Sequence, residues 1–246
     1  MATTTLRLAA LAALAFGMTE NCLAQTPADS LGWRFTGALG YVQTSGNTKL
    51  STVNLTDQLT FRPSQWWTFT QTASWIWGKT NGVESANQLV ATTRADYNIT
   101  PRLSAYALAG FERNRYAGIG RRLQESAGLS WWALKQARTE LQIDLGAGAQ
   151  QERDTAGVKN GFAIARLAPR FKLQLGERSF FEEQLEFLAN LEDTGDLRTV
   201  STTSLVAPLT AAIALRFGYL VRYDAVPPVG SRKLDTTFTT GIQVTL

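Results

Sequence analysis

The chain has 246 residues, room for one all-β or α/β domain without a second. Its 24 Lys and Arg against 20 Asp and Glu leave a charge of +4 spread along the whole length, and with no basic tail or block nothing points to nucleic acid as a partner. There is no histidine, the usual acid or base of catalysis near neutral pH, and the seven tryptophans suit girdles at a membrane interface as well as they suit a core.

The amino terminus reads as a targeting segment. Arg7 precedes an apolar run from Leu8 to Met18, and Cys22-Leu23-Ala24 leads to Gln25, so residues 1–24 are expected to be a secretory signal cleaved near Ala24–Gln25. The run is too short to cross a bilayer as a helix, and no later stretch offers about twenty apolar residues. Thr19-Glu20-Asn21 is a poor lead into a lipidated cysteine. Cys22 would leave with the signal, so the mature chain is expected to hold neither a disulfide framework nor a cysteine metal site. Residues 25–31 read as a polar leader and residues 32–246 as the folded domain.

From Gly32 onward apolar and polar residues alternate, the pattern of strands lying between a greasy medium and a wet one. The first strand, Gly32 to Thr44, sets Trp33, Phe35, Leu39 and Tyr41 against Arg34, Thr36, Ala38 and Gly40, and Ser45-Gly46-Asn47-Thr48 turns the chain. In the second, Lys49 to Phe61, Val53, Leu55, Leu59 and Phe61 share a face. Asp57 falls among them, which predicts a bulge or a register shift. After the turn Arg62 to Gln65, the third strand, Trp66 to Gly78, has Trp at both ends, the spacing for two membrane interfaces.

A longer loop, Lys79 to Ser85, is expected before the fourth strand, where Leu89, Ala91, Ala95 and Tyr97 oppose Gln88, Arg94 and Asp96. The fifth, Leu103 to Tyr116, alternates poorly and carries Glu112. The sixth sets Ala127, Leu129 and Trp131 against Gln124, Ser126, Gly128 and Ser130, and the seventh, Thr139 to Glu152, sets Leu141, Ile143 and Leu145 against Gln142, Asp144 and Gly146. In the eighth, Leu167 and Phe171 oppose Arg166, Arg170 and Lys172, and Pro169 predicts a bulge or a strand edge. The ninth opposes Phe181, Leu185 and Phe187 to Glu182 and Glu186. The tenth, Leu197 to Pro208, is Thr-rich and its faces are not determined by pattern. The eleventh sets Phe217, Tyr219, Val221 and Tyr223 against Arg216, Arg222 and Asp224. The loop Ala225 to Lys233 leads to the last segment, 234–246, whose Phe238, Ile242, Val244 and Leu246 alternate with polar residues to the end of the sequence.

This is an all-β chain, read as a single antiparallel up-and-down transmembrane β-barrel of about twelve strands. An even number returns the chain to its starting side, so both termini are expected in the periplasm of a Gram-negative bacterium, with tight turns there and longer loops outside. Mid-strand polar positions hold Gly, Thr, Ser and Gln with isolated charges, where a soluble barrel would show a dense Lys and Glu surface. The inward charges are expected to be Arg94, Asp96, Glu112, Asp144, Arg166, Arg170, Lys172, Glu182, Glu186, Arg216 and Arg222. If they pair, the lumen closes; if the two signs separate onto opposite walls, an ion-selective path results. Phe238, Ile242, Val244 and Leu246 resemble the closing-strand signal of outer-membrane barrels. The expected partners are therefore outer-membrane lipid, lipopolysaccharide and the barrel-assembly machinery; no soluble partner is indicated.

The segment from Trp33 through Ser45-Gly46-Asn47-Thr48 is similar to the salt-induced outer-membrane proteins, the family catalogued as domain of unknown function 481. So are Arg94-Ala95-Asp96-Tyr97 with Phe111 to Tyr116, and the end from Arg222-Tyr223 through Pro227-Pro228 to Thr237. The resemblance covers the mature chain and implies an outer-membrane barrel. It supplies no catalytic residues.

Without histidine, the mechanisms that known outer-membrane barrel enzymes resemble one another in using are excluded, and a serine with no base nearby is a weak nucleophile. Glu182 and Glu186, four apart on one strand face, stand roughly 13 Å from each other, beyond the usual span of a glycosidase pair. Glu192 and Asp193 with Asp196 have the chemistry to bind a divalent cation or bridge lipopolysaccharide, but read better as solvated loop charges. No phosphate loop, dinucleotide fingerprint or other cofactor motif occurs. The expectation is a non-enzymatic barrel, either a narrow diffusion pore or a structural envelope protein linked to salt or osmotic stress. The alternative is a surface receptor or adhesin that uses its outer loops.

Overall fold

The computed structural model describes residues 31–44 and 50–245. The expected signal, the first loop Ser45 to Thr48, and Leu246 lie outside the described residues. Twelve strands follow one another: β1 (Gly32–Thr44), β2 (Leu50–Arg62), β3 (Trp67–Thr80), β4 (Val83–Thr100), β5 (Leu103–Asn114), β6 (Ile119–Lys135), β7 (Thr139–Asp154), β8 (Lys159–Gln174), β9 (Phe180–Asn190), β10 (Leu197–Pro208), β11 (Ile213–Asp224) and β12 (Leu234–Thr245). One 3-10 turn, Arg115–Ala117, stands between β5 and β6.

Each strand pairs antiparallel with its neighbours in sequence, and β1 pairs with β12, so the sheet closes on itself. Closure removes both edges, whose unpaired N–H and C=O groups have no partner in lipid. Among the described residues the closing seam is short: Thr36 pairs with Thr245, Gly37 with Val244, Ala38 with Gln243 and Leu39 with Ile242. The barrel ends of the chain, Gly32 and Thr245, lie at one rim, called here the terminal rim; the other is the far rim.

The side-chain faces follow from the pairing. Arg94 on β4 bonds Asp144 on β7, strands that are not neighbours, so these side chains point into the barrel. Through the ladders, Thr72 and Gln58 share the inward face by way of Thr92. The outward face carries the large apolar residues, with Trp33 65% and Phe238 66% exposed. Surface of that kind, continuous around a closed sheet, belongs in hydrocarbon. At the terminal rim Trp33 stacks on Phe61 with ring centroids 4.1 Å apart, and Trp67 stacks on Phe69 at 5.7 Å, an aromatic girdle for the interface.

Several local expectations are corrected. No loop spans 79–85: β3 runs to Thr80 and β4 starts at Val83. Asn81 and Gly82, both at positive φ (52° and 84°), make the two-residue hairpin turn whose twist matches its strands. Asp57 sits in no bulge, because β2 pairs with β1 and β3 without a break in register. The carboxylate stays outward, opposite Gly37 and Ala73. Pro169 causes no bulge either. The β7 ladder runs through it from Ile143, while the β9 ladder skips Ala168 and Pro169 and resumes in the same register at Arg170, so the missing N–H falls on the β9 side. The shifts that do occur, after Gly78, Asn98, Glu112, Ile119 and Trp132, lie near strand ends.

The undetermined tenth strand places Arg198, Val200, Thr202, Ser204 and Val206 on one face and Thr199, Ser201, Thr203 and Leu205 on the other. Hydroxyls stand on both faces because the outer ones have a partner. Glu183 of β9 also points outward, and it accepts from Ser201 at 2.6 Å and Thr203 at 2.5 Å.

Candidate functional site: the lumen

The interior holds two storeys of charge. In the middle storey Arg94 binds Asp96 at 2.7 Å and reaches Asp144, which also accepts from Ser130 at 2.6 Å and from Arg166 at 3.3 Å. Arg166 in turn holds Glu186 at 2.6 Å. The Tyr106 ring lies between the two guanidiniums, 4.4 Å from Arg94 and 5.4 Å from Arg166, and its hydroxyl accepts from Arg166 at 3.1 Å. Glycine makes this possible. Tyr106 is paired with Gly128, and a Cβ on Gly146 would overlap the Tyr106 hydroxyl. The ring thus covers a wall of bare backbone, a familiar remedy for strand glycine.

The storey nearer the far rim is centred on Arg122, which binds Glu152 at 2.8 Å, Glu112 at 3.0 Å and Asp224 at 3.4 Å. Arg198 binds Glu152 at 3.1 Å and Asp224 at 3.2 Å, and Arg222 binds Glu112 at 2.8 Å. A cavity of about 180 Å³ opens beside this storey, lined by Glu112, Arg122, Arg198, Arg222 and, from the β11–β12 loop, Pro228 and Lys233.

Removing a charge from water is unfavourable unless partners replace the solvent, and here nearly every deep charge has two or three. Sharing of one carboxylate between two guanidiniums, as Asp144 does for Arg94 and Arg166, makes each storey a unit.

The sequence-predicted residues separate into groups. Arg94, Asp96, Asp144, Arg166 and Glu186 meet in the middle storey, and Glu112 and Arg222 in the other. Arg216 is placed apart, against Ser204 at 3.1 Å and Gln243 at 3.5 Å. Lys172 lies 4.7 Å from the Phe180 ring and opposite Glu182, whose carboxylate takes the Gln184 amide. Arg170 faces inward opposite Gln142 and Gln184, exposed toward the terminal rim. Glu186 is committed to Arg166, so it and Glu182 are not a free carboxylate pair. In the β9–β10 loop Glu192 accepts from the Ala163 N–H at 3.3 Å and Asp193 from the Gly195 N–H at 2.9 Å. Asp196 takes the Asn190 amide at 3.1 Å. Of the outward terminal residues, Phe238, Ile242 and Val244 are exposed on the lipid-side face; Leu246 is outside the described residues.

Sequence reasoning missed Tyr106, Arg122 and Arg198. Glu152 and Asp224 stand on the polar rows that alternation assigns to their strands, but they are not among the inward charges read from the sequence. Arg122 precedes Gln124 by two on the same inward row, ahead of the residues where alternation in that strand becomes plain. Arg198 was hidden in the Thr-rich strand, and Tyr106 in the Ala- and Gly-rich one.

The interior is lopsided. In ring order β5 and β11 are diametrically opposite, and every ion pair of the two storeys lies on β4 or in the half from β5 to β11. There Ser130 and Gln150 are 0% exposed. On β1, β2 and β3 the inward mid-strand residues are uncharged, Thr, Ser, Asn and Gln together with Ala38, Gly40 and the buried Ile76, and Gln58 is exposed although it faces inward.

Among solved structures the chain is similar to the NanC porin, at 12% identity over 86% of this chain and 100% of that one, with a TM-score of 0.53. It also aligns with the translocator domain of the autotransporter NalP from Neisseria meningitidis (12% identity, 89% of each chain, TM-score 0.46) and with an anion-selective porin from Comamonas acidovorans (11% identity, 88% of this chain and 99% of that one, TM-score 0.41). The first likeness identifies the fold as that of a porin-like outer-membrane barrel. No curated protein matches in sequence. A family model described as "Protein of unknown function, DUF481" matches residues 37–246, and the chain belongs to that family.

Proposed function

We propose that the protein is a non-enzymatic outer-membrane barrel that works as a narrow channel, its passage running off-centre beside the β1–β3 wall. One observation carries the reading: the ion pairs bridge and fill one half of the lumen, while on the other half the inward Gln58 remains exposed. Paired charges of both signs make the filled half a rigid, electrically balanced wall. The terminal rim is assigned to the periplasm and the far rim, with its nine-residue β11–β12 loop at 225–233, to the outside. Outer-membrane lipid and lipopolysaccharide surround it, and the barrel-assembly machinery inserts it through the β12 segment.

Single-channel recording in planar bilayers tests the reading. Small, stepwise currents are expected, and the absence of steps above leak would overturn the channel in favour of a structural barrel. A contribution to growth under salt or osmotic stress, implied by the family resemblance, is the physiological part of the proposal. It is checked by growth of a deletion strain in high-osmolarity medium.

A further inference from the structure

The two walls of the lumen differ in what they leave available. On the charged side the ionic groups are mostly committed to one another within 4 Å, so they offer a passing solute little. On β2 and β3, Thr56, Gln58, Thr60 and Thr70 make no side-chain hydrogen bond among the described residues, and Asn54 Oδ1 is buried without a partner. Thr72 is the exception, bonded to Thr92 across the β3–β4 pair at 2.5 Å. These groups stand two residues apart, so they present polar atoms roughly every 6.6 Å along a strand. A threonine hydroxyl both donates and accepts, and a glutamine amide does the same.

A solute moving along this wall meets neutral groups of both hydrogen-bonding senses at short intervals. A run of hydroxyls on an open carbon chain is more closely spaced than these wall groups, so one hydroxyl is always within reach of the next wall group and each hydrogen bond the solute gives up is replaced by another one step on. A charged solute fits poorly. To be held away from water it needs a counter-charge, and most of the ions across the lumen are engaged by each other. At the terminal rim Arg62 bonds Thr68 at 3.2 Å and Arg34 stands opposite Thr60, so the mouth carries charge while the inward row in the mid-section of β2 and β3 does not.

We propose that the path carries small uncharged polyols, recognised by the hydroxyl and amide row of β2 and β3; this rests on the channel reading above. The test uses the full mature chain in proteoliposomes and compares swelling in three open-chain six-carbon solutes that differ in charge: mannitol, gluconate and glucamine. Mannitol is expected to enter about tenfold faster than either ion. The double substitution Thr56→Val and Thr70→Val, close in shape but without the hydroxyls, should slow mannitol about fivefold, with heat-modifiable migration on a gel verifying that the barrel has formed. Gluconate or glucamine entering as fast as mannitol, with KCl currents present, would overturn the polyol assignment and leave the channel standing. So would a mannitol rate unchanged in the folded double variant. Absence of both swelling and KCl current would instead overturn the channel itself.

Discussion

Arg222 of β11 and Glu112 of β5 meet at 2.8 Å across the full width of the barrel, since six steps separate their strands in either direction around the ring. Two side chains thus partition the lumen. On one side stand Arg122, Glu152, Arg198 and Asp224; on the other is the hydroxyl wall. Glu112→Ala removes the partition and leaves Arg222 without its carboxylate. Single-channel conductance should rise, and stability should fall by about 1–3 kcal/mol, the range for stranding a buried group in a polar interior. An unchanged conductance in bilayers would show that the partition does not limit flow.

Gly146 is fixed by what lies over it. A Gly146→Ala methyl would strike the Tyr106 hydroxyl, displacing the ring from between Arg94 and Arg166. A loss of about 1–3 kcal/mol is expected from such overpacking. Adding Tyr106→Phe should recover part of it, and a double-mutant cycle from denaturant titrations in lipid vesicles measures that coupling.

Asp57 faces hydrocarbon between Gly37 and Ala73 with no hydrogen bond or ion pair among the described residues. Asp57→Leu should stabilise the inserted barrel by about 1–2 kcal/mol, since acidic residues on the lipid face are less unfavourable there than Arg or Lys. The midpoint of urea unfolding from vesicles reads the change.

Glu183 shows the other way of keeping an acid on the outer face. Its two hydroxyl donors, Ser201 and Thr203, hold the carboxylate against the sheet. Replacing both by Ala and Val should destabilise the barrel by about 1–3 kcal/mol, and Glu183→Leu in that background should restore it. Failure of the Leu to restore stability would mean that the hydroxyls act through something other than Glu183.

Strand number, order and most faces were legible because alternation is imposed by the two media, so that Leu145 faces lipid while Asp144 beside it faces the lumen. Legibility failed where that pressure is weak or answered locally. Ala and Gly fit either face, so β5 concealed Tyr106. Glu183 and the outer Thr and Ser residues satisfy one another, so β10 broke the pattern without breaking the strand. Asp57 broke it with no local answer, and parity alone could not distinguish an outward acid from a bulge. Which charges meet across the barrel was beyond sequence altogether, because pairs such as Arg222 with Glu112, 110 residues apart, depend on how the sheet closes.

Among the described residues four ladder pairs, Thr36–Thr245 to Leu39–Ile242, join β1 to β12, where thirteen join β1 to β2. A closed sheet comes apart only by first losing one ladder, and the shortest is the one that can be lost with fewest bonds broken. The seam is therefore expected to open first, and a Cβ on Gly241, which would press on the Leu39 carbonyl, should shorten the lifetime of the folded barrel. Gly241→Val should speed loss of the compact gel form on heating, while substitutions in the long β6–β7 ladder should leave that rate nearly unchanged.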